Sequence, residues 1–163
     1  MHRYRHIVYA MSKLLCLAVS IAACSGEDCP INNTVAGKMV FYDQKNRPVV
    51  INGILSVSVM RPQGDSVVLN QKSNASELVF PLSYTHETDT FVFDYNGGMV
   101  YDTLYISHTN SPTLVSVACG TAMYHSITKA HCTRHMIDTL IIKSAEVNYD
   151  ERENIQVIYP TAD

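Results

Sequence analysis

The chain has 163 residues with a formal net charge of −3, and it is 47% hydrophobic and 17% charged, the size of one domain and too apolar for disorder. Arg3, Arg5 and Lys13 all precede residue 24, so the remainder carries 9 basic against 15 acidic residues, a net −6. No cluster of Lys and Arg is left to displace counterions, which excludes nucleic acid and anionic headgroups as partners.

In chain order, the basic first stretch is followed by an apolar run, Leu14 to Ala23, and then at once by Ser25, Gly26, Glu27 and Asp28. A spanning helix needs about 20 apolar residues, so ten are read as the core of a secretory signal peptide, residues 1–23. The run ends Ile21-Ala22-Ala23-Cys24, which resembles the bacterial lipobox: a branched aliphatic residue, two small residues, then the cysteine that receives diacylglycerol. The expected product starts at Cys24, the lipidation site, with residues 24–34 as anchor and short tether and 35–163 as one β-sandwich domain. Each buried CH₂ of an acyl chain contributes about 0.8 kcal/mol, so three palmitate-sized chains would anchor the domain to its membrane without a spanning segment. Ser25 is not the Asp that signals inner-membrane retention, so the outer membrane is expected. Glu27-Asp28 resembles the acidic tract that Bacteroidota lipoproteins use for surface export and equally a solvated linker, which leaves the membrane face open.

From Val35 onward hydrophobic residues alternate with a period of two, the pattern of strands with one buried face. Leu55, Val57 and Val59 oppose Ser56 and Ser58; Phe91, Phe93 and Tyr95 oppose Val92 and Asp94; Leu104 and Ile106 oppose Tyr105 and Ser107. Val115 and Val117 oppose Ser116, and Ile155, Val157 and Tyr159 oppose Asn154 and Gln156. Residues 136–142 are more uniformly apolar and read as a central strand covered on both faces. Turn signals fall at Lys45-Asn46-Arg47-Pro48, Arg61-Pro62-Gln63-Gly64-Asp65, Ser73-Asn74, Asn96-Gly97-Gly98 and Asn110-Ser111-Pro112. Eight to ten short strands at this spacing predict an all-β fold, an antiparallel β-sandwich of immunoglobulin-like or transthyretin-like type.

With Cys16 in the leader and Cys24 lipidated, three thiols remain in an oxidising compartment. Cys119, in phase with Val115 and Val117, points to the core; it pairs with Cys29, or alternatively with Cys132 across a hairpin. His125, His131, Cys132 and His135 are the one concentration of metal-ligating types, but their spacing matches no zinc signature and alternation sends neighbours to opposite faces. No metal or other cofactor is therefore expected. Asp94, Asp102, Asp138, Glu87 and Asp89 offer oxygen ligands of the kind calcium takes, without a calcium loop, and are read as solvated carboxylates. Ser, His and Asp are present without a nucleophile elbow, so no hydrolase is indicated. Tyr84, Tyr95, Tyr101, Tyr105 and Tyr124 are read as cross-strand pairs that stabilise the sheet rather than as a sugar-stacking face.

Cys29-Pro30, Asn32-Asn33-Thr34, Phe41-Tyr42, Cys119-Gly120, His135 and Ile137-Asp138 together resemble the landmarks of an uncharacterised family of small Bacteroidota outer-membrane lipoproteins. The resemblance implies an envelope lipoprotein with a β-rich domain and carries over no catalytic residue. The expected role is a non-enzymatic binding or accessory module with an envelope protein as partner. The alternatives are a small metal-dependent envelope enzyme using His125, His131, Cys132 and His135, or a purely structural envelope component.

Overall fold

The computed structural model describes Cys29 and residues 35–161. The expected signal peptide, the lipidation site Cys24 and tether residues 30–34 lie outside the described residues. Ten strands follow in order: β1 (Ala36–Asp43), β2 (Ile51–Val59), β3 (Ser66–Ala75), β4 (Glu77–Pro81), β5 (Thr88–Tyr95), β6 (Val100–Ser116), β7 (Gly120–Cys132), β8 (Thr139–Ile142), β9 (Glu146–Val147) and β10 (Glu153–Tyr159). Among the described residues there is no helix, and hence none long and apolar enough to cross a membrane.

The strands form a sandwich of two sheets, β4-β1-β10-β8 against β3-β2-β5-β6-β7-β9. All pairings are antiparallel except that of β1 with β10, which is parallel. The inner faces meet through aromatic rings. Phe41 on β1 packs edge-on against Phe93 on β5, with ring centroids 6.5 Å apart, and Phe80 on β4 against Phe91 on β5 at 5.5 Å. Tyr95 and Tyr159 close the same interface with a hydroxyl–hydroxyl hydrogen bond of 3.0 Å. Edge-to-face rings gain from quadrupole alignment beyond their buried area, and each of these pairs bridges the two sheets. Gly37 lies opposite Phe80, and a Cβ there would overlap that ring, so glycine lets the aromatic lie across the neighbouring strand.

Three sequence expectations are corrected. Residues 136–142 are not a central strand: β8 is an edge strand with Ile141 and Ile142 exposed, and the strand covered on both faces is β10, where every residue from Asn154 to Tyr159 is buried. Asn110-Ser111-Pro112 is not a turn but lies inside the 17-residue β6. Proline is tolerated there because β6 pairs with β5 only as far as Ser107, so the missing N–H faces no partner strand. Ser73-Asn74 likewise lies inside β3, with Asn74 absorbing a left-handed φ of 55°.

The real turn joining β6 to β7 is residues 117–119. From Ser111 and Tyr124 outward this hairpin pairs with no third described strand and forms a two-stranded arm, one face of which, through Val115, Ala122 and Tyr124, packs on the core. Val117 is 97% exposed at the turn, and Cys119 sits in the turn rather than in the core, contrary to the phase argument. Cys119 is bonded to Cys29, while Cys132 is a partly buried free thiol.

Candidate functional site

Two polar centres lie along β6, one at its middle and one near its start. Near the base of the arm, Asp89 and His108 point into the core from β5 and β6, in phase with Phe91 and Phe93 and with Leu104 and Ile106. The Asp89 carboxylate accepts from His108 Nε2 at 3.0 Å and from the Ser83 N–H at 2.7 Å, and it is paired with the Arg61 guanidinium. Burial opposes its ionisation, but these three donors together outweigh burial and hold the carboxyl below its ordinary 3.8.

His125 completes this centre. Asn110 donates its Nδ2 to the His86 carbonyl, so its Oδ1 accepts from His125 Nδ1 at 2.7 Å, which fixes the proton on Nδ1. The ring stacks on Tyr84 and meets His108 edge-on at 5.2 Å. Burial, and secondarily the neighbouring His108, push His125 down to about 4, so it is neutral at physiological pH. His125 Nε2 and His108 Nδ1 are both buried without a partner.

Above this network Ser83 Oγ, Thr85 Oγ1 and His86 Nδ1 form a polar turn. Ser83 Oγ also accepts the backbone N–H groups of Thr85 and His86, as turn-closing hydroxyls do. The Asp89 carboxylate takes the Ser83 N–H and not His86, so serine, histidine and carboxylate form no relay.

Near the start of β6, Asp102 is wholly buried and accepts four hydrogen bonds, from Thr133 Oγ1 (2.8 Å) and the N–H groups of His135, Met136 and Ile137 (2.9, 2.7 and 3.0 Å). One carboxylate thus organises the loop 133–137. His135 and Met136 from that loop form one wall of a groove of about 480 Å³; Val49, Val50, Ile51, Asn52, Tyr159, Pro160 and Thr161 line the remainder with Asp43 and Arg47. Asp43 accepts Nε and Nη2 of Arg47 at 2.7 and 2.6 Å; the Arg47 backbone N–H and guanidinium hold its carboxyl below the ordinary range. The groove is a largely apolar trough with a fixed ion pair at its rim and, on its loop wall, the exposed His135 imidazole, whose Nδ1 lies 3.3 Å from Asp102 Oδ1.

The four residues of the alternative, metal-dependent reading, His125, His131, Cys132 and His135, are not brought together. A β-bulge on β7, at the register step where Ser107 faces Lys129 and His108 faces Ile127, shifts the strand's phase by one residue. His125 therefore faces inward and His131 outward, where it stacks on Tyr105 at 4.8 Å. Cys132 turns inward, its thiol pushed up by burial and by Asp102, and His135 sits on the exposed loop. No group of three or more ligating side chains converges among the described residues. Asp89 and Asp102 are buried hubs rather than solvated carboxylates, a further correction; Asp94 caps its own turn at Gly98 and Asp138 accepts from Gln44. The tyrosines do not share a face: Tyr95 is in the core, Tyr84 and Tyr105 stack on histidines, and Tyr124 meets Tyr149 edge-on.

Residues 55–159 match the model of a family of unknown function, DUF6452. The chain belongs to this family. No curated protein and no solved structure matches it. The DUF6452 match runs from within β2 to the end of β10 and so includes Asp89, Asp102, His108, His125 and the arm. Of the landmarks named above, Cys119-Gly120, His135 and Ile137-Asp138 fall inside it, whereas Cys29-Pro30, Asn32-Asn33-Thr34 and Phe41-Tyr42 precede it.

Proposed function

We propose that this protein is a lipoprotein of the bacterial outer membrane, held by acyl chains on Cys24, and that its sandwich is a non-enzymatic module that binds an envelope partner. The observation that carries the binding role is the groove between residues 47–52 and the loop 133–137, with Val50 and Met136 exposed beside the Asp43–Arg47 pair. Its two walls are set by buried carboxylates, Asp43 and Asp102, so the trough is preorganised and loses little entropy on binding. The non-enzymatic reading is supported by the chemistry of the candidate groups: Cys132 is disfavoured as thiolate, Ser83 Oγ is committed to its turn, and the histidines of β7 face opposite sides.

The anchor is supported by the Ile21-Ala22-Ala23-Cys24 ending of a ten-residue apolar run. Cys24→Ser is expected to move the protein from the membrane to the soluble fraction, with mass spectrometry of the native amino-terminal peptide showing acyl chains on Cys24. An unmodified amino terminus, or a serine variant still bound to membranes, would refute the anchor.

A further inference from the structure

We propose that the β6–β7 arm docks on the lipid surface by its tip and stands the sandwich upright, with the groove directed away from the membrane. The inference rests on the lipid anchor at Cys24 and adds to it an orientation.

Three observations converge on the arm. The first is connectivity: Cys29, bonded to Cys119 in the turn of the arm, follows Cys24 by five residues, and a chain of that length reaches at most about 17 Å. With the 5.3 Å between the Cα atoms of Cys29 and Cys119 added, acyl chains on Cys24 keep the turn within about 22 Å of the bilayer. The second is charge. No Asp, Glu, Lys or Arg occurs between Asp102 and Lys129, a stretch that holds all of the arm. Along the ladder the first carboxylate is Glu146, which pairs with Ser126, six residues or about 20 Å behind Gly120 on β7; off the ladder, Glu27 and Asp28 directly precede Cys29 and so adjoin the disulfide to the turn in sequence.

The third is how the arm divides its apolar residues. Val115, Ala122 and Tyr124 pack toward the core, whereas Leu114 and Val117 are 65% and 97% exposed, uncovered among the described residues. Two aliphatic side chains on a hairpin that itself carries no charged residue suit the boundary between headgroups and acyl chains. Glu27 and Asp28 lie in the tether, so attraction to anionic lipid has no part in the docking. The anchor supplies attachment and the tip supplies direction. Asp102, which holds the groove wall, is fourteen residues from Ser116 along β6, so the groove stands about 45 Å from the tip.

The absence of tryptophan gives a clean probe. Val117→Trp, and separately Leu114→Trp, would be introduced into the full lipidated chain, purified from membranes and reconstituted in vesicles of brominated phosphatidylcholine. Met99→Trp serves as the distal control, because Met99 is 80% exposed in the β5–β6 turn at the opposite end of β6. Flotation with the vesicles reads the anchor, and bromine quenching reads the docking. Both tip tryptophans are expected to be quenched at least about twofold more than the control, as side chains at the acyl boundary should be. Protein that floats with tip and control equally quenched overturns the docking and leaves the anchor standing. Protein that does not float refutes the anchor and the docking together.

Discussion

His125 has a ring that is almost fully enclosed, stacked on Tyr84 and set beside His108 and Asp89. In the unfolded chain it titrates near 6.5; in the fold burial holds it down to about 4. As pH falls from 6.5 toward 4 the unfolded state takes up a proton that the folded state refuses, so stability present above 6.5 is lost across that window. The full loss is about 3 kcal/mol, the two-and-a-half-unit difference at 1.36 kcal/mol per unit. Urea midpoints measured between pH 7 and pH 4 should fall accordingly, and His125→Phe, which keeps the stacked ring, should flatten the profile. An unchanged slope in that variant would assign the loss to another group. Much of this was open to reading in the sequence: Asp89, Asp102 and His108 share the phase of Phe91, Leu104 and Ile106, and a titratable residue in phase with a buried face is a hub in waiting. What strand phase cannot supply is the partner, because Arg61 and Ser83 come from the segments that follow β2 and β4, and Asn110 faces His125 only through the β6–β7 register.

Strand phase served well wherever both flanking ladders were regular. It places the buried faces of β2, β5 and the first half of β6 correctly, since alternation is a local property of extended backbone. It fails at the β7 bulge and at the Cys119 turn, where one extra residue or an early end reverses every later side chain, and no residue type announces either. The same limit concealed the groove, whose wall is a loop tied to Asp102 from more than thirty residues away. Removing that carboxylate by Asp102→Ala orphans three backbone N–H groups and the Thr133 hydroxyl, a loss of about 3–5 kcal/mol, since breaking a buried charged network costs that much. Chemical denaturation should report it. Hydrogen exchange should show protection lost first at residues 135–137, ahead of the β5–β6 ladder; uniform loss would mean that Asp102 supports the core at large and not the loop.

For the molecule as a whole, one covalent bond closes a loop that takes in six of the ten strands, since Cys29 and Cys119 are 90 residues apart in sequence. Closing so long a loop restricts the unfolded ensemble, and replacing both cysteines by serine should lower unfolding free energy by about 2–4 kcal/mol. Thermal melts of the oxidised protein, the reduced protein and the double variant test this: the last two should coincide, well below the first. A reduced protein melting with the oxidised one would show that the bond adds nothing beyond the packed core.

The position of that bond has a mechanical consequence. Tension entering the chain ahead of Cys29 divides there, one branch running along the peptide into β1 and the other across the sulfurs into the turn between β6 and β7. Those strands belong to different sheets, so a pull is shared by both layers at once and cannot peel one from the other. The fold is gripped like a folded page held at both leaves.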